Sequence, residues 1–379
     1  MKNDRNGNGT TEDRLERSKR KKNNKIASIL VMFGCLLVLV LVTYLAGVLY
    51  MWIDGEFQKN ANDIAEAVAQ ADMEDEVAYT QQELDAKIGE AVQAAKEEAA
   101  AAASAEVLNG IKAGLTGGET MVETLRPYYP GELVIVSNGT FNFIPIRDDL
   151  KKNSYMEENL NLLETGEYQY LENGQVISHK GIDVSKHQGK IDWQQVAGDG
   201  VEFAFIRVGL RGYGTGKLVE DEYFEDNIKG ALGAGIKVGV YFYSQAVNEQ
   251  ELLEEANFVL EKISPYKVEC PVVYDVEKVS GADGRMNDLT VEERTKLTLL
   301  FCQTIENAGY QPMIYHNMEM GAMMLDLASL EQYDKWFAYF NQDLYYPYEY
   351  KVWQYSEKGA VNGIEGDVDL NISFAPLWE

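Results

Sequence analysis

Asp275 and Glu277 close the apolar run Cys270-Pro271-Val272-Val273-Tyr274, two acids one residue apart at the end of a strand-like segment. Strand alternation puts both side chains on one face, with Cα atoms about 6.6 Å apart at about 3.3 Å of rise per residue. Such a pair suits hydrolysis of a glycosidic bond. One carboxylic acid protonates the leaving oxygen, and a second group attacks or stabilises the developing oxocarbenium centre. A solvated pair at the mouth of a loop is the plainer alternative, so the rest of the chain has to decide.

Two more acids stand in similar settings: Asp183 in Gly181-Ile182-Asp183-Val184-Ser185, and Asp369 in Gly366-Asp367-Val368-Asp369-Leu370-Asn371. Each alone could cap a turn. At strand ends of a barrel, however, all four converge on one rim. Crowding pushes one carboxyl pKa upward, which keeps an acid protonated near neutral pH and able to donate. Aromatic residues accompany them: Tyr241, Tyr243, Tyr315, Trp336, Tyr339, Trp353 and Tyr355 lie in or beside strand-like segments. Aromatic faces stack on the apolar faces of sugar rings. Tyr241, Tyr243, Tyr315 and Trp353, with Arg207, are the expected substrate-binding residues. Gly212-Tyr213-Gly214-Thr215-Gly216 reads as a loop, because no Lys-Ser/Thr follows to cradle a phosphate. The three histidines lack metal-ligand spacing, and neither a metal nor another cofactor is expected.

The elements that must position these residues begin near Gly181. Strand-length apolar runs at Phe203 to Val208, Lys237 to Tyr243, Pro271 to Tyr274 and Pro312 to Tyr315 alternate with helix-like stretches such as Glu249 to Ile263 and Thr290 to Ala308. That alternation predicts an α/β fold with parallel strands, and acids and aromatics gathered at strand ends favour a barrel over an open sheet. Residues 117–179 have a different texture. Asn138-Gly139 joins two short strands, Glu132 to Ser137 and Thr140 to Ile146, and Asn173-Gly174 marks a second hairpin, so a small β-containing neck module with a packing or spacer role is expected. Residues 53–116, rich in Ala, Glu, Gln and Lys, predict a helical stalk. A thin seven-residue spacing of Val77, Leu84 and Ala91 is compatible with a homodimer through a coiled coil, and equally with a solvated single helix or a partly disordered spacer.

No charged residue occurs from Ile26 to Trp52. That run is long enough to cross roughly 30 Å of hydrocarbon as a helix. Residues 1–25 carry nine Lys/Arg against four Asp/Glu, a local +5 that leaves −32 for the remainder of a chain totalling −27. The expected topology is a single-pass cell-membrane protein with a basic cytoplasmic tail and an extracellular catalytic part, as in a Gram-positive-type bacterium. A cleaved signal peptide is the competitor, but its apolar region is normally about 7 to 15 residues long. Nucleic acid is not an expected partner, since the acidic exterior would repel phosphate. Cys270 and Cys302 look like small core hydrophobes, and Cys35 sits within the apolar span.

The run Gly181-Ile182-Asp183-Val184-Ser185-Lys186-His187-Gln188-Gly189-Lys190-Ile191-Asp192-Trp193 resembles the opening motif of glycoside hydrolase family 25, the Chalaropsis-type lysozymes. The likeness continues through Phe205-Ile206-Arg207-Val208-Gly209, Asp221 with Phe224 and Asn227, Ala234 to Tyr241, Asp275-Val276-Glu277, Trp353-Gln354-Tyr355 and Val368-Asp369-Leu370-Asn371. It covers residues 181 to about 375. The resemblance implies an irregular TIM-like β/α barrel over 180–379 that cleaves the β-1,4 bond between N-acetylmuramic acid and N-acetylglucosamine in peptidoglycan. It implies Glu277 as general acid/base, Asp275 as an assistant in its protonation cycle or stabiliser of the positive centre, and Asp183 and Asp369 as groups that shape the field and bind the sugar. An Asp or the substrate's own acetamido group could serve as nucleophile. Many secreted members carry wall-binding repeats after the barrel; here membrane tethering is expected to take that role, for localised wall remodelling. The alternative is a catalytically silent peptidoglycan-binding or scaffolding module of an envelope-spanning assembly.

Overall fold

The computed structural model describes residues 80–279, 283–340 and 344–378. The expected membrane span at 26–52, the basic tail and stalk residues 53–79 lie outside the described residues. Among the described residues no helix is long and apolar enough to cross a membrane. The chain divides into two compact units, Met1–Ala113 and Gly114–Glu379. In the first, the described residues are helical, forming most of α1 (Gln81–Gly117). Its Leu84, Ile88 and Val92 are exposed.

The second unit begins at Gly114 within the last turn of α1, and the helix stops before Gly118, whose φ is +95°. Thr120 and Glu123 cap the short α2 (Met121–Leu125) reciprocally, and the β1 (Glu132–Ser137) and β2 (Thr140–Pro145) hairpin follows. Its turn residues Asn138 and Gly139 both take positive φ, 51° and 73°, which matches the twist of the paired strands. A small sheet of β3 (Leu160–Leu162), β4 (Tyr168–Glu172) and β5 (Gln175–Val176) comes next.

The barrel strands are β6 (His179–Val184), β7 (Phe203–Arg211), β9 (Lys237–Tyr243), β10 (Val272–Asp275), β11 (Pro312–Asn317), β12 (Asp334–Ala338), β13 (Val352–Gly359) and β14 (Val368–Ser373). The short β8 (Leu218–Glu220) folds back on β7. β6 pairs with both β7 and β14, so the sheet closes. Strands β6 through β13 around the barrel run parallel to one another, but β14 is antiparallel to both its neighbours. This corrects the expectation of uniformly parallel strands. Only residues 360–367 join β13 to β14, too few for a parallel crossover of a dozen or more residues.

Alternation sorts the side chains. Phe203, Phe205, Tyr241, Val273, Met313, Tyr315, Trp336 and Val352 pack together inside the barrel, while Ile182, Ile206, Val240, Tyr274, Ile314 and Phe337 belong to a separate outer core. Gly181 and Gly239 make room for this filling: a Cβ on the first would stand 2.1 Å from the Phe203 ring, and on the second 2.6 Å from that of Phe205. Helices α3 (Trp193–Gly198), α4 (Phe224–Gly233), α5 (Glu249–Ile263) and α6 (Val291–Asn307) cover the side from β6 to β11.

No such helix stands between β11 and β14 among the described residues. There residues 117–179 take the helices' place. Tyr155 stacks on Phe374 with centroids 3.8 Å apart, Tyr168 lies 5.1 Å from Trp353, and Leu133, Ile135 and Leu150 join the same outer core. Lys152 bridges to Tyr348. This segment is thus built into the barrel's flank rather than strung before it. Cys270 and Cys302 are both buried free thiols, one in the inner and one in the outer core.

Candidate active site

β6 delivers Asp183 one residue before its end, and β10 ends on Asp275. Glu277 lies two residues beyond the end of β10 and lines the same pocket as Asp275. β14 runs the other way, so its second residue, Asp369, reaches the same rim; Asp369 stands directly opposite Asp183 in register. The four acids expected at strand ends therefore meet, although Asp369 does so from a strand beginning.

They line one pocket of about 400 Å³ together with Arg207, Tyr241, Tyr243 and Tyr315. Eight of the nine expected site residues are here. Trp353 is not. In β13 the inward positions are Val352 and Gln354, so the Trp353 indole faces outward, donates to the Tyr339 carbonyl at 2.7 Å and packs against Tyr168 and Tyr355. Its expected place against substrate is corrected: Trp353 secures residues 117–179 to the barrel, and Trp336 lines the pocket instead. Trp336 forms part of the floor, 4.6 Å from both Phe205 and Tyr315 by ring centroids.

The pocket is electrostatically one-sided. Arg207 is its cation, and both its Nε and one terminal nitrogen lie 2.7 Å from Asp221 Oδ2. Asp221 also accepts from the Lys186 and Tyr223 amides at 3.1 and 3.0 Å. Arg207 is thereby neutralised by a carboxylate outside the pocket, and the four rim acids face one another.

They fall into two hydrogen-bonded pairs. Asp275 and Glu277 are both pushed upward from the usual carboxylate range, foremost by burial; for Asp275 the charge of Glu277 adds to this. Asp275 Oδ1 is buried and meets no N–H or hydroxyl donor among the described residues, so a proton shared with Glu277 is what satisfies this pair. In the other pair burial pushes Asp183 up to about 6 against the opposing pull of Asn371 and Gln354, whose amides each donate to Asp183 Oδ2 at 2.8 Å. Burial and the neighbouring Asp183 push Asp369 up to about 9. The geometry thus keeps Asp183 the more ionised of its pair.

Gln354 and Asn371 are oriented in turn. Tyr315 donates its hydroxyl to Gln354 Oε1 at 2.8 Å, and the Trp336 indole N–H donates to Asn371 Oδ1 at 2.7 Å. These links fix both amides with their N–H groups toward Asp183. Neither amide was among the expected site residues. Period-two spacing from Asp369 to Asn371, and from the inward Val352 to Gln354, is the signal that could have found them. Ser185, His187, Gln188 and Glu357 also line the pocket. The first three reach it because Ser185 and Gln188 cap a short turn just after β6.

A pocket with an excess of carboxylates, one pair holding a proton and another anionic, can donate a proton and stabilise a neighbouring cation. Residues 182–364 match the sequence profile of the glycosyl hydrolases family 25. The autolytic lysozyme of Clostridium acetobutylicum is 27% identical over 197 residues, which is 51% of this chain and 55% of that protein. The chain thus spans about half the length of that relative. YegX of Escherichia coli K12 is 31% identical over 206 residues, 51% of this chain and 68% of that protein. A family 25 glycosyl hydrolase from Bacillus anthracis, solved as a structure, is 25% identical over 55% of this chain and 93% of its own, with a TM-score of 0.45. On the family profile and the match over two thirds of YegX, this chain belongs to glycosyl hydrolases family 25.

Proposed function

We propose that the protein is a membrane-anchored, extracellular muramidase that cleaves the β-1,4 bond between N-acetylmuramic acid and N-acetylglucosamine in peptidoglycan, for localised remodelling of the wall. The observation that carries the reading is the meeting of Asp183, Asp275, Glu277 and Asp369 around one pocket whose arginine is already paired. Family membership supports glycoside hydrolysis, and the relative named autolytic lysozyme supports wall glycan as the substrate.

In this mechanism Glu277 gives its proton to the glycosidic oxygen as the C–O bond breaks. Asp275, which burial and the charge of Glu277 raise further, keeps a proton in the pair and hydrogen-bonds Glu277 before and after the transfer. Positive charge grows on the anomeric carbon and ring oxygen, and the ionised Asp183, fixed by Gln354 and Asn371, stabilises it without reorganising. The Tyr241, Tyr315 and Trp336 surfaces offer the sugar an apolar floor. Water, deprotonated by Glu277, then completes hydrolysis. The apolar run 26–52, with basic residues before it and acids after it, supports the anchor.

The test is digestion of purified Gram-positive peptidoglycan by the full-length protein beside Glu277→Gln. N-acetylmuramic acid reducing ends released only by the parent establish the activity. Sedimentation with the wall and no new ends from either protein would replace this reading with a silent binding module. Recovery of the protein in culture medium instead of the membrane fraction would remove the anchor.

A further inference from the structure

The catalytic pocket does not end at the acids. A second cavity of about 500 Å³ shares Glu277, Tyr315, Gln354, Glu357 and Asp369 with it and extends outward. Its far walls are Ile135 and Val136 of β1 on one side and Met318, Tyr339 and Phe340 on the other. β1 lies outside the residues that match the family profile.

Two features make this wall more than a chance neighbour. First, it is fixed. Leu133 and Val134 are fully buried, and the Val134 N–H donates to the Tyr345 hydroxyl at 3.1 Å. At the hairpin tip Ser137 Oγ donates to Glu319 Oε1 at 2.5 Å. Lys278, the residue after the proposed acid, donates to Asn138 Oδ1 at 3.0 Å and to Glu319 at 2.6 Å. The hairpin is thus tied to the loop that carries Glu277. Second, its apolar surface is left open: Val136 is 42% exposed and Phe340 48%. An apolar face fixed on its β1 side, facing water and continuous with a site for sugars is suited to the C–H face of another sugar ring.

We infer that the β1–β2 hairpin supplies a glycan subsite, in which Val136 and Phe340 grip a saccharide unit beyond those flanking the scissile bond. The inference rests on the muramidase reading for the identity of the chain that enters. It makes residues 117–179 part of substrate recognition and favours long glycan strands over short ones. Glu319, Asn317 and Glu357 stand along the same cavity to receive hydroxyl and amide protons.

The experiment uses the full-length protein and wall-derived oligosaccharides of two lengths, a tetrasaccharide and an octasaccharide. Val136→Asp and Phe340→Ser are each expected to lower kcat/KM for the octasaccharide about tenfold, mostly through KM. The loss should exceed that on the tetrasaccharide about fivefold. Val176→Asp, which adds the same charge at a 49% exposed position on β5, controls for charge. Melting temperatures control for folding. Equal length preference in the parent and both variants would overturn the subsite. A readout independent of cleavage is calorimetric binding of the octasaccharide to Glu277→Gln, which Val136→Asp should weaken about fivefold to tenfold. Binding so weakened, with no cleavage by the parent at any length, would overturn the muramidase reading and leave the subsite standing.

Discussion

Two buried carboxylate centres in this barrel face opposite fates. On the buried face of α5, Glu255 is fully buried and accepts from Arg211 Nε at 2.8 Å, Ser244 Oγ at 2.6 Å and the Gln245 backbone N–H at 3.4 Å. Arg211 spends its remaining donors on the Gly216 and Glu251 carbonyls and on Glu254. Burial still pushes Glu255 up to about 7, against the pull of Ser244 and Arg211. The rim acids are pushed the same way but lack a counter-charge of their own, and they open onto a pocket. A raised pKa therefore does not mark a site. An uncompensated cluster at an opening does, because a group entering the pocket can complete its electrostatics.

That contrast can be broken most forcefully at Glu277 and Arg211. Glu277→Gln should cut glycan hydrolysis by about 10² to 10⁴, read as reducing ends, with a melting temperature no lower than the parent's. Arg211→Met should do the reverse. It strands Glu255 in the core, at a cost of about 3 to 5 kcal/mol. A fall in melting temperature of about 10 °C, at roughly 2 to 4 °C per kcal/mol for a unit of this size, would be seen in thermal denaturation. Activity per folded molecule should survive. If Arg211→Met stayed as stable as the parent but lost catalysis, the two centres would be one system.

The pH dependence of hydrolysis sharpens the same distinction. Asp183, at about 6, must be ionised to stabilise the oxocarbenium centre, so kcat/KM should rise through about pH 6. The Asp275 and Glu277 pair must keep its proton, and because burial raises both groups, the rate should fall only on the alkaline side. A bell-shaped profile on a soluble oligosaccharide checks this. Asp183→Asn should erase the acid limb, whereas Glu255→Gln should leave both limbs in place. A profile already flat between pH 4 and pH 7 would remove Asp183 from the mechanism.

The barrel was legible because its signals are local. Strand runs such as Lys237 to Tyr243 and the helix Glu249 to Ile263 have the bounds read from apolar patterning, and Asn138-Gly139 adopts the turn its residue types dictate. Convergence of the four acids followed from barrel closure alone. Two features escaped. Trp353 was placed by its aromatic character, although the alternation of β13 gives the inward position to Gln354. Residues 117–179 gave no sign of their place, because what they cover is a gap in the helical layer. A missing helix after β12 leaves no residue in the sequence to mark it. The contacts that fill it, such as Tyr155 on Phe374, join residues more than two hundred positions apart. Such pairings belong to the fold and not to any window of sequence.

At Asp369 the sign of the effect carries the most information. Its folded carboxyl is raised to about 9, foremost by burial and then by the charge of Asp183, while in the unfolded chain it returns to about 4. Between those limits the folded state binds the proton more tightly than the unfolded one. The stability this group contributes is therefore complete below about pH 4 and is lost as pH rises toward 9. Asp369→Asn carries no charge to lose, and its amide can donate to Asp183. Its melting temperature should match the parent's near pH 4 and exceed it by roughly 10 °C near pH 8, the excess growing steadily with pH. The parent would then be holding its rim acids together at the expense of stability, as expected where like charges are kept for chemistry. A constant difference across that range, or one that shrinks with rising pH, would mean that Asp369 is as well compensated as Glu255, and the distinction between the two centres would fail at this residue.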